Sequence, residues 1–424
     1  MFDALINAFK APDIRRRILF VLAALIIFRL LAHVPVPGVN RTALSQFFAN
    51  NALLGLLDLF SGGGLSTFSV VGMGVNPYIN ASIIMQLMQG VIPSLQDLSR
   101  EGEYGRNKIN QYTRYLTVPL ALLQAYGFLA ILSSQGIITN FDLASGITIV
   151  QLITLTAGSI LLMWIGELIT ERGIGNGVSF IIFAGIVGRI PAAIGQFLSS
   201  PDWAAGASFV VIALIAVAAI VYIQEGQRRI PVQYASRVRG RRLYQGGSTF
   251  LPLRVNQAGV IPIIFAISII LFPAQIATYF ETSQVTIVAQ FATAVKNFFQ
   301  YTPVYALLYF LLTVGFTYFY TAFTFKPDET ADQLRKNGGF IPGIRPGSPT
   351  RDYLARVVNR ITIAGALFLG VIAVLPVIVS IAFPSLGGLG LGGTALLIVV
   401  SVVVETMKQL EAQLMMRNYE GFIR

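Results

Sequence analysis

One stretch of the sequence, from Leu59 to Gln96, runs for 38 residues without a charged side chain. As a single straight helix it would be about 57 Å long, whereas the hydrocarbon core of a bilayer is roughly 30 Å thick. Residues that break helices interrupt it at Gly62, Gly63, Gly64, Gly72, Gly74 and Pro77. We therefore predict a short segment that does not cross the membrane, Ser61 to about Gly74, followed by a membrane span, Val75 to Ile92. Irregular backbone at membrane depth is tolerated only where protein buries it or where it lines a water-filled cavity, so the stretch predicts a cavity.

The composition of the chain is that of a protein with several membrane spans. Hydrophobic residues make up 55% of the 424 and charged residues 12%, with a mean hydropathy of +0.70, which is more apolar surface than a soluble domain could bury. The chain contains no cysteine, which excludes disulfides and thiolate metal sites, and we expect neither a metal nor a cofactor. The predicted fold is all-α and polytopic, with ten spans at residues 18–36, 75–92, 116–134, 148–168, 178–197, 206–224, 257–280, 303–325, 361–383 and 392–407.

The distribution of positive charge predicts the orientation of these spans. An even number of spans places both termini on one side, and the segments on that side hold 26 of the 30 Lys and Arg residues. The positive-inside rule therefore places the N- and C-termini in the cytoplasm. At the N-terminus, residues 1–10 place Phe2, Leu5, Ile6 and Phe9 on one helical face, which predicts an interfacial helix and no cleavable signal.

Two cytoplasmic loops, residues 225–256 and 326–360, are too long to be simple connections, and each carries seven basic residues. The alternation in the first loop predicts a β-hairpin with Arg239 and Gly240 near its tip. Basic loops are normal on the cytoplasmic side of any membrane protein. Their length and clustering favour a docking surface for a large acidic partner, either the RNA of a ribosome or a cytosolic motor protein.

The predicted spans contain little that could perform chemistry. Apart from Arg29, no span has a charged side chain near its middle, and Glu167, Arg189 and Glu405 lie near span ends. Ion-coupled transporters place acidic residues or histidine deep in a span, and His33, the only histidine, lies near the end of the first one. Because nothing resembles a catalytic pair or a metal cluster, we do not expect an enzyme.

A short motif occurs in both halves of the chain. Residues 74–79 read GVNPYI and residues 259–264 read GVIPII, so that both fit the pattern G-V-x-P-x-I. Each motif opens the second span of a predicted five-span half, yet the first span enters the membrane from outside and the second from inside. This predicts an inverted repeat with a pathway between the halves, residues 1–200 and 201–424.

The chain resembles the SecY family, the channel subunits of the Sec translocon, over essentially its whole length. The matching stretches are LFSGG (59–63), GVNPYINASII (74–84), EGEYGRNKINQYTRY (101–115), ITERGIGNGVSFIIFAGI (169–186), RRIPVQYA (228–235), VNQAGVIPIIFA (255–266), FIPGIRPG (340–347) and GGTALLIVV (392–400). The resemblance implies ten helices in two pseudo-symmetric halves around an hourglass pore, with SecE as a clamp and commonly SecG as a third subunit.

The resemblance also implies roles for particular residues. A ring of aliphatic side chains at the waist of the pore would consist of Val75, Ile79, Val178, Ile182, Ile264 and Ile398. A movable plug, which we expect to be a helix within residues 61–72, would include Ser61, Gly62, Gly63, Gly64, Leu65, Phe68 and Gly72. A lateral gate between spans two and three and spans seven and eight would carry Asn80, Gln124 and Ser268. Docking of SecA and the ribosome would use Arg241, Arg242 and Arg345.

Three functions are therefore compared. The expected one is a protein-conducting channel driven by SecA with ATP or by the translating ribosome, which passes unfolded polypeptides with signal sequences and releases membrane segments sideways into lipid. A small-solute transporter would need ionisable groups in the middle of its spans, and a structural scaffold would not need the glycine-rich segment. A thylakoid relative matches the same motifs, and the missing transit peptide favours the bacterial plasma membrane.

Overall fold

The protein is mostly helical. The computed structural model describes residues 9–50, 58, 61–138, 141–142, 145–199, 202–234, 237–239, 242–244, 247–280, 286–300, 302–382 and 393–423. Most of the predicted interfacial helix, residues 1–8, lies outside the described residues, as do Gly240 and Arg241.

Eight helices are described in the first 200 residues. They are α1 Pro12–Leu31, α2 Arg41–Asn50, α3 Asn76–Val91, α4 Pro93–Arg100, α5 Glu103–Ser134, α6 Gly146–Arg172, α7 Gly177–Val187 and α8 Ile190–Ser199. Residues 61–74, which we call the turn segment, precede α3 and consist of consecutive turns. Helix α3 has 16 residues, or about 24 Å, so it crosses only part of a bilayer.

The second half of the chain combines helices with short strands. Its helices are α9 Trp203–Glu225, α10 Ile261–Phe280, α11 Thr286–Gln300, α12 Thr302–Thr324, α13 Pro327–Lys336, α14 Ser348–Ala382 and α15 Gly393–Ile423. Its strands are β1 Gln227–Tyr234, β2 Arg237–Arg239, β3 Arg242–Tyr244, β4 Ser248–Arg254 and β5 Gly339–Phe340.

Within the described residues, six helical stretches are long and apolar enough to cross a membrane, namely Glu103–Ser134, Gly146–Arg172, Gly177–Gly195, Gly206–Glu225, Pro303–Lys336 and Ser348–Val379. The protein is therefore a multi-pass membrane protein. The other four predicted spans coincide with α1, α3, α10 and α15, which are helical in their described parts. Helix α1 has four arginines and one aspartate among its 20 residues, and α3 is short, which is why neither qualifies by length and composition.

The boundaries of several predicted spans are wrong. The fifth, predicted over residues 178–197, is the stretch Gly177–Gly195, and a turn at Gly188 and Arg189 within it separates α7 from α8. Helices α5 and α14 begin 13 residues before their predicted spans, because their polar first turns stay helical outside the apolar stretch. Helix α11 lies in a connection for which no helix was predicted.

The two halves meet along two sets of helices. Helices α3 and α5 pack against α10, and α7 packs against α15. One large apolar cluster fills the space between them and includes Phe28 of α1, Ile79 of α3, Ile182 of α7, Ile264 of α10 and Ile398 of α15. The candidate site is built around this shared core.

The hairpin predicted within residues 225–256 is confirmed. Strand β1 pairs with β4 in antiparallel register from Gln227 opposite Arg254, and β2 pairs with β3 so that Arg239 lies opposite Arg242 at the tip. Strand β5, from the second loop, pairs with the end of β1 at Gln233 and gives the sheet order β4-β1-β5. The two loops predicted as separate protrusions are therefore one unit.

This unit, which we call the sheet unit, has its own small core. Ile230, Leu253 and Ile341 pack against Leu354 and Val358, which lie in the first part of α14. Because α14 continues from this core into an apolar stretch, the unit is fixed to the membrane-spanning part by a continuous helix.

Candidate functional site

The turn segment occupies the core between the helices. Ser61, Leu65 and Phe68 are fully or almost fully buried, and the ring of Phe68 stacks on that of Phe128 of α5 with 6.2 Å between centroids. We expected a helix here, and that expectation is wrong. Gly62 and Gly63 have φ angles of +70° and +84°, and Phe68 has +48°, a left-handed conformation that cannot continue a right-handed helix.

Backbone hydrogen bonds tie the end of the turn segment to the residues that follow α1. The Val36 N–H donates to the Phe68 carbonyl at 2.8 Å, and the Val70 N–H donates to the Val34 carbonyl at 2.9 Å. The Thr67 hydroxyl also donates to the Ala32 carbonyl at 3.1 Å. These bonds satisfy polar backbone groups that would otherwise be buried without partners, so irregular chain is tolerated at this depth.

The six side chains predicted as a pore ring come from four helices and their flanks and belong to one apolar cluster. Val75, Ile79, Ile182, Ile264 and Ile398 are buried in it, and Val178 packs against it half-buried. Leu65 and Phe68 of the turn segment belong to the same cluster. The turn segment therefore packs into the same core as the aliphatic set, which consists only of branched side chains without hydrogen-bonding groups.

Two residues of α7 change the details of this set. Val178 packs over Gly166 of α6, with its Cγ2 atom 3.3 Å from the position that a Cβ of residue 166 would occupy. Ile186, which was not predicted, lies one turn beyond Ile182 on the same face and is also buried in the cluster. The neighbouring Gly185 contacts the turn segment, since its Cα is 3.0 Å from the Cβ position of Gly62.

The predicted lateral-gate residues lie on the three helices that join the halves, α3, α5 and α10. Asn80 and Ser268 are half-buried, and Gln124 is buried with its Oε1 atom lacking a hydrogen-bond partner. Among the described residues, no hydrogen bond joins these three side chains. The contact between α10 and the α3–α5 pair is thus mainly apolar. Among the polar groups near it, the Gln124 Oε1 atom has no hydrogen-bond partner.

The predicted docking residues lie on the sheet unit. Arg242 begins β3 at the hairpin tip, and Arg345 is exposed in the turn between β5 and α14, where its carbonyl accepts a hydrogen bond from the Thr350 hydroxyl at 2.8 Å. Nearby, a hydrogen bond to Asp352, reinforced by the charge of that carboxylate and of Asp328, raises the pKa of Arg351 further above its ordinary value. Of the predicted docking arginines, Arg345 therefore presents its positive charge to the solvent.

The sequence profile of the SecY family matches residues 69–407. The chain belongs to the SecY family. Two relatives in this family, each named protein translocase subunit SecY, cover this chain and themselves completely. The one from Streptomyces coelicolor is 45% identical over 443 residues, and the one from Mycobacterium tuberculosis is 46% identical over 445.

Solved structures share the fold of this SecY-family chain. A protein-conducting channel has a TM-score of 0.59 at 18% identity, and a SecY structure described by the role of its plug domain in the closed channel has 0.62 at 19%. Sec61 from a canine ribosome-channel complex has 0.56 at 17% identity. Each alignment covers 93% of this chain and 91% of the other. At these identities the likeness establishes the fold alone.

One polar cluster of this SecY-family chain was missed by the reasoning from sequence. The Asp58 side chain is 1% exposed and pairs with Arg189 at 2.7 Å. Arg29, the one mid-span charge that the sequence singled out, donates from Nη1 to the Gly62 carbonyl at 3.0 Å and from Nη2 to the Gly188 carbonyl at 3.3 Å. The sequence shows only that Asp58, Arg29 and Arg189 each stand alone within or beside an apolar stretch.

Proposed function

We propose that this chain is the pore-forming subunit of a protein translocase, which passes unfolded polypeptides across a membrane and releases apolar segments sideways into lipid. The observation that carries this proposal is the packing of the irregular turn segment into a core of branched aliphatic side chains contributed by both halves. The full-length likeness to protein translocase subunits supports it.

The aliphatic set explains how such a pore would stay closed to ions. Branched apolar side chains offer no hydrogen bonds to water or to a sliding polypeptide, and a narrow apolar constriction dewets. The turn segment, as the plug, would close the same constriction. When a polypeptide displaces it, the aliphatic ring would fit around the chain without binding it.

We assign the ring to Val75, Ile79, Ile182, Ile264 and Ile398. Helix α7 contributes a second side chain besides Ile182, for which Val178 and Ile186 are the two candidates. The contact of Gly185 with the turn segment favours Ile186, because it places that end of α7 against the plug. The contact of Val178 with α6 favours a packing role for its side chain.

The lateral gate is proposed to open where α10 meets α3 and α5. Hydrogen bonds between polar side chains in membrane interiors contribute only about 1 kcal/mol each. The unpaired Oε1 atom of Gln124 lowers the free energy needed to separate the helices further, because water or a signal sequence can satisfy it once the seam opens. Asn80 and Ser268 would line the two sides of this seam.

The proposed topology has ten spans in two inverted halves, with both termini in the cytoplasm of a bacterium. The lopsided distribution of Lys and Arg supports this orientation. On the cytoplasmic side, the hairpin tip with Arg241 and Arg242 and the turn with Arg345 are proposed to dock SecA or the ribosome. Ribosome complexes of canine Sec61 and yeast Ssh1, which share the fold, support the ribosome as a partner. SecE and SecG are proposed as the companion subunits.

Crosslinking of a stalled secretory polypeptide tests the proposal. A photoreactive residue at Ile79 or Ile182 should crosslink to the stalled chain, because both side chains would touch it at the constriction. The same probe at Ile215 of α9, which is 64% exposed on the outer surface, is the matched control and should not react. Equal crosslinking at Ile215 and Ile79 would contradict a central pathway.

A further inference from the structure

The strongest unassigned feature is the polar cluster at the start of the turn segment. Asp58 is buried, yet its carboxylate is fully used. Its Oδ2 atom accepts from Arg189 at 2.7 Å, and its Oδ1 atom accepts from the N–H groups of Leu65 at 3.0 Å and Ser66 at 2.9 Å and from the Ser61 hydroxyl at 3.2 Å. Its own carbonyl accepts from the Gly63 N–H at 2.9 Å. Asp58 is therefore bound to the folded turn segment through its Ser61, Gly63, Leu65 and Ser66.

The positive partners belong to the surrounding helices. Arg29 lies in the last turn of α1, and Arg189 lies in the turn that separates α7 from α8. The two arginines meet at that turn, because Arg29 also binds the Gly188 carbonyl and its guanidinium packs where a side chain at residue 188 would lie. One end of the turn segment is thus held by groups on two different helices.

Displacement of the turn segment would separate these charges. If Asp58 moves with the segment that it caps, the Asp58–Arg189 pair and the Arg29–Gly62 bond both break. If Asp58 stays, its bonds to Leu65 and Ser66 break instead. A buried carboxylate without its partner is strongly disfavoured, and the part-exposed Arg189 reduces but does not remove that penalty. The free energy that either movement costs therefore stabilises the closed channel.

We propose that Asp58, Arg189 and Arg29 form a latch that holds the turn segment in the closed position, so that opening the channel breaks either the Asp58–Arg189 ion pair or the hydrogen bonds from Leu65 and Ser66 to Asp58. This inference rests on the proposed function, in which the turn segment is the plug. Arg189 fixes Asp58 to the α7–α8 turn. Asp58 in turn holds the turn segment by accepting hydrogen bonds from Leu65 and Ser66.

The test uses the complete translocase complex reconstituted in planar bilayers without a polypeptide substrate. Arg189→Gln should raise the resting ion conductance about tenfold, which corresponds to about 1.4 kcal/mol less stabilisation of the closed state. Asp58→Asn should act similarly, because its amide oxygen still accepts from Leu65 and Ser66 while the charge is lost. Arg189→Lys keeps the charge and should stay near the wild-type conductance.

Two controls identify the cause of any leak. Arg335→Gln removes one positive charge from an exposed surface pair with Asp332 and should leave the conductance unchanged. The triple substitution of Ile79, Ile182 and Ile264 by Gly opens the proposed ring directly and should leak. A leaking triple variant beside a silent Arg189→Gln would overturn the latch alone, whereas a silent triple variant would overturn the assigned pore.

A second measurement follows the segment itself and does not depend on ion flow. The chain has no cysteine, so Leu65→Cys provides the only thiol of this subunit, at a buried position of the turn segment. Arg189→Gln in this background should raise the rate of thiol labelling about tenfold, in parallel with the conductance, while the melting temperature of the complex stays within a few degrees. An unchanged labelling rate would overturn the latch even if Arg189→Gln leaks.

Discussion

The N-terminal ends of α3 and α10 share one local structure and differ in what comes before it. In both, the glycine of the G-V-x-P-x-I motif is left-handed, with φ of +61° at Gly74 and +63° at Gly259, and the helix begins two residues later at Asn76 or Ile261. Before α3 the chain folds inward as the turn segment. Before α10 it comes from β4 of the sheet unit.

This comparison shows that the motif encodes the start of a helix, and the preceding segment gives each helix start its separate role. The left-handed glycine interrupts the preceding backbone conformation, and the proline fits the first turn of a helix, where its missing N–H is not needed. The matched helix starts support the proposed inverted repeat, in which the same device is used from opposite sides of the membrane. The turn segment before α3 would be the plug, and the sheet unit before α10 would carry the docking surface.

The largest expected effect is an ion leak, and it tests whether the final isoleucines of the two motifs are equivalent. Ile79 and Ile264 are both buried in the central cluster. Replacing Ile79, Ile182 and Ile264 together with Gly should raise ion leak many-fold, because the apolar constriction loses three branched side chains. Singly, Ile79→Gly and Ile264→Gly should leak to a similar extent, as measured by single-channel conductance.

The control for this prediction is a triple Gly variant at Ile153, Ile215 and Ile363, which lie on exposed helix faces. It carries the same helix penalty of about 1 kcal/mol for each substitution but should not leak. A leak from only one of the two motif isoleucines would break the equivalence of the two helix starts.

The next effect concerns the sheet unit alone, which contains both β4 and Arg345. Arg345→Glu should reduce SecA-driven export several-fold, because it reverses a charge on the surface proposed to bind SecA. Since Arg345 is exposed, the free energy of unfolding should change by no more than about 0.5 kcal/mol. Export into membrane vesicles measures the effect, and the resting conductance should stay at the wild-type value. Normal export would remove Arg345 from the docking surface.

The smallest effect tests the shared glycine conformation. Gly74→Ala and Gly259→Ala should each destabilise the protein by about 1 to 2 kcal/mol, because a Cβ is unfavourable at positive φ. Gly127→Ala, in the interior of α5 where an added Cβ would meet open space, should instead stabilise it by about 0.5 to 1 kcal/mol. Thermal unfolding of the complex in detergent compares the three. A destabilising effect at Gly74 but not at Gly259 would mean that the two helix starts are not equivalent.

Several features could be predicted because they follow from local sequence. The charge-free stretch, its glycines and Pro77 predicted that the chain would not cross the membrane as one helix, and it does not. Alternation in residues 225–256 predicted the hairpin, which is confirmed. The motifs predicted the SecY family, to which the chain belongs. The ring, gate and docking residues stay predictions, which the experiments above address.

The failures follow from contacts that local sequence does not encode. The turn segment was expected to be helical, but buried carbonyls and the Asp58 carboxylate hold its glycines in left-handed conformations. The turn at Gly188 within the fifth span was not predicted, and there Arg29 occupies the space of a side chain. The two basic loops were treated as separate, since nothing in either sequence shows that β5 pairs with β1.

The sequence by itself determined the membrane environment, the broken hydrophobic stretch, the paired helix starts and the family. These depend on composition and on residues close together in the chain, where apolar runs and backbone preferences act locally. Only the tertiary structure decided that Asp58 meets Arg189, 131 residues away. Through this ion pair and the bond from Leu65 to Asp58, the turn segment is attached to the end of α7. A buried ion pair depends on which helices pack together, because its strength comes from exclusion of water at one place in the folded protein.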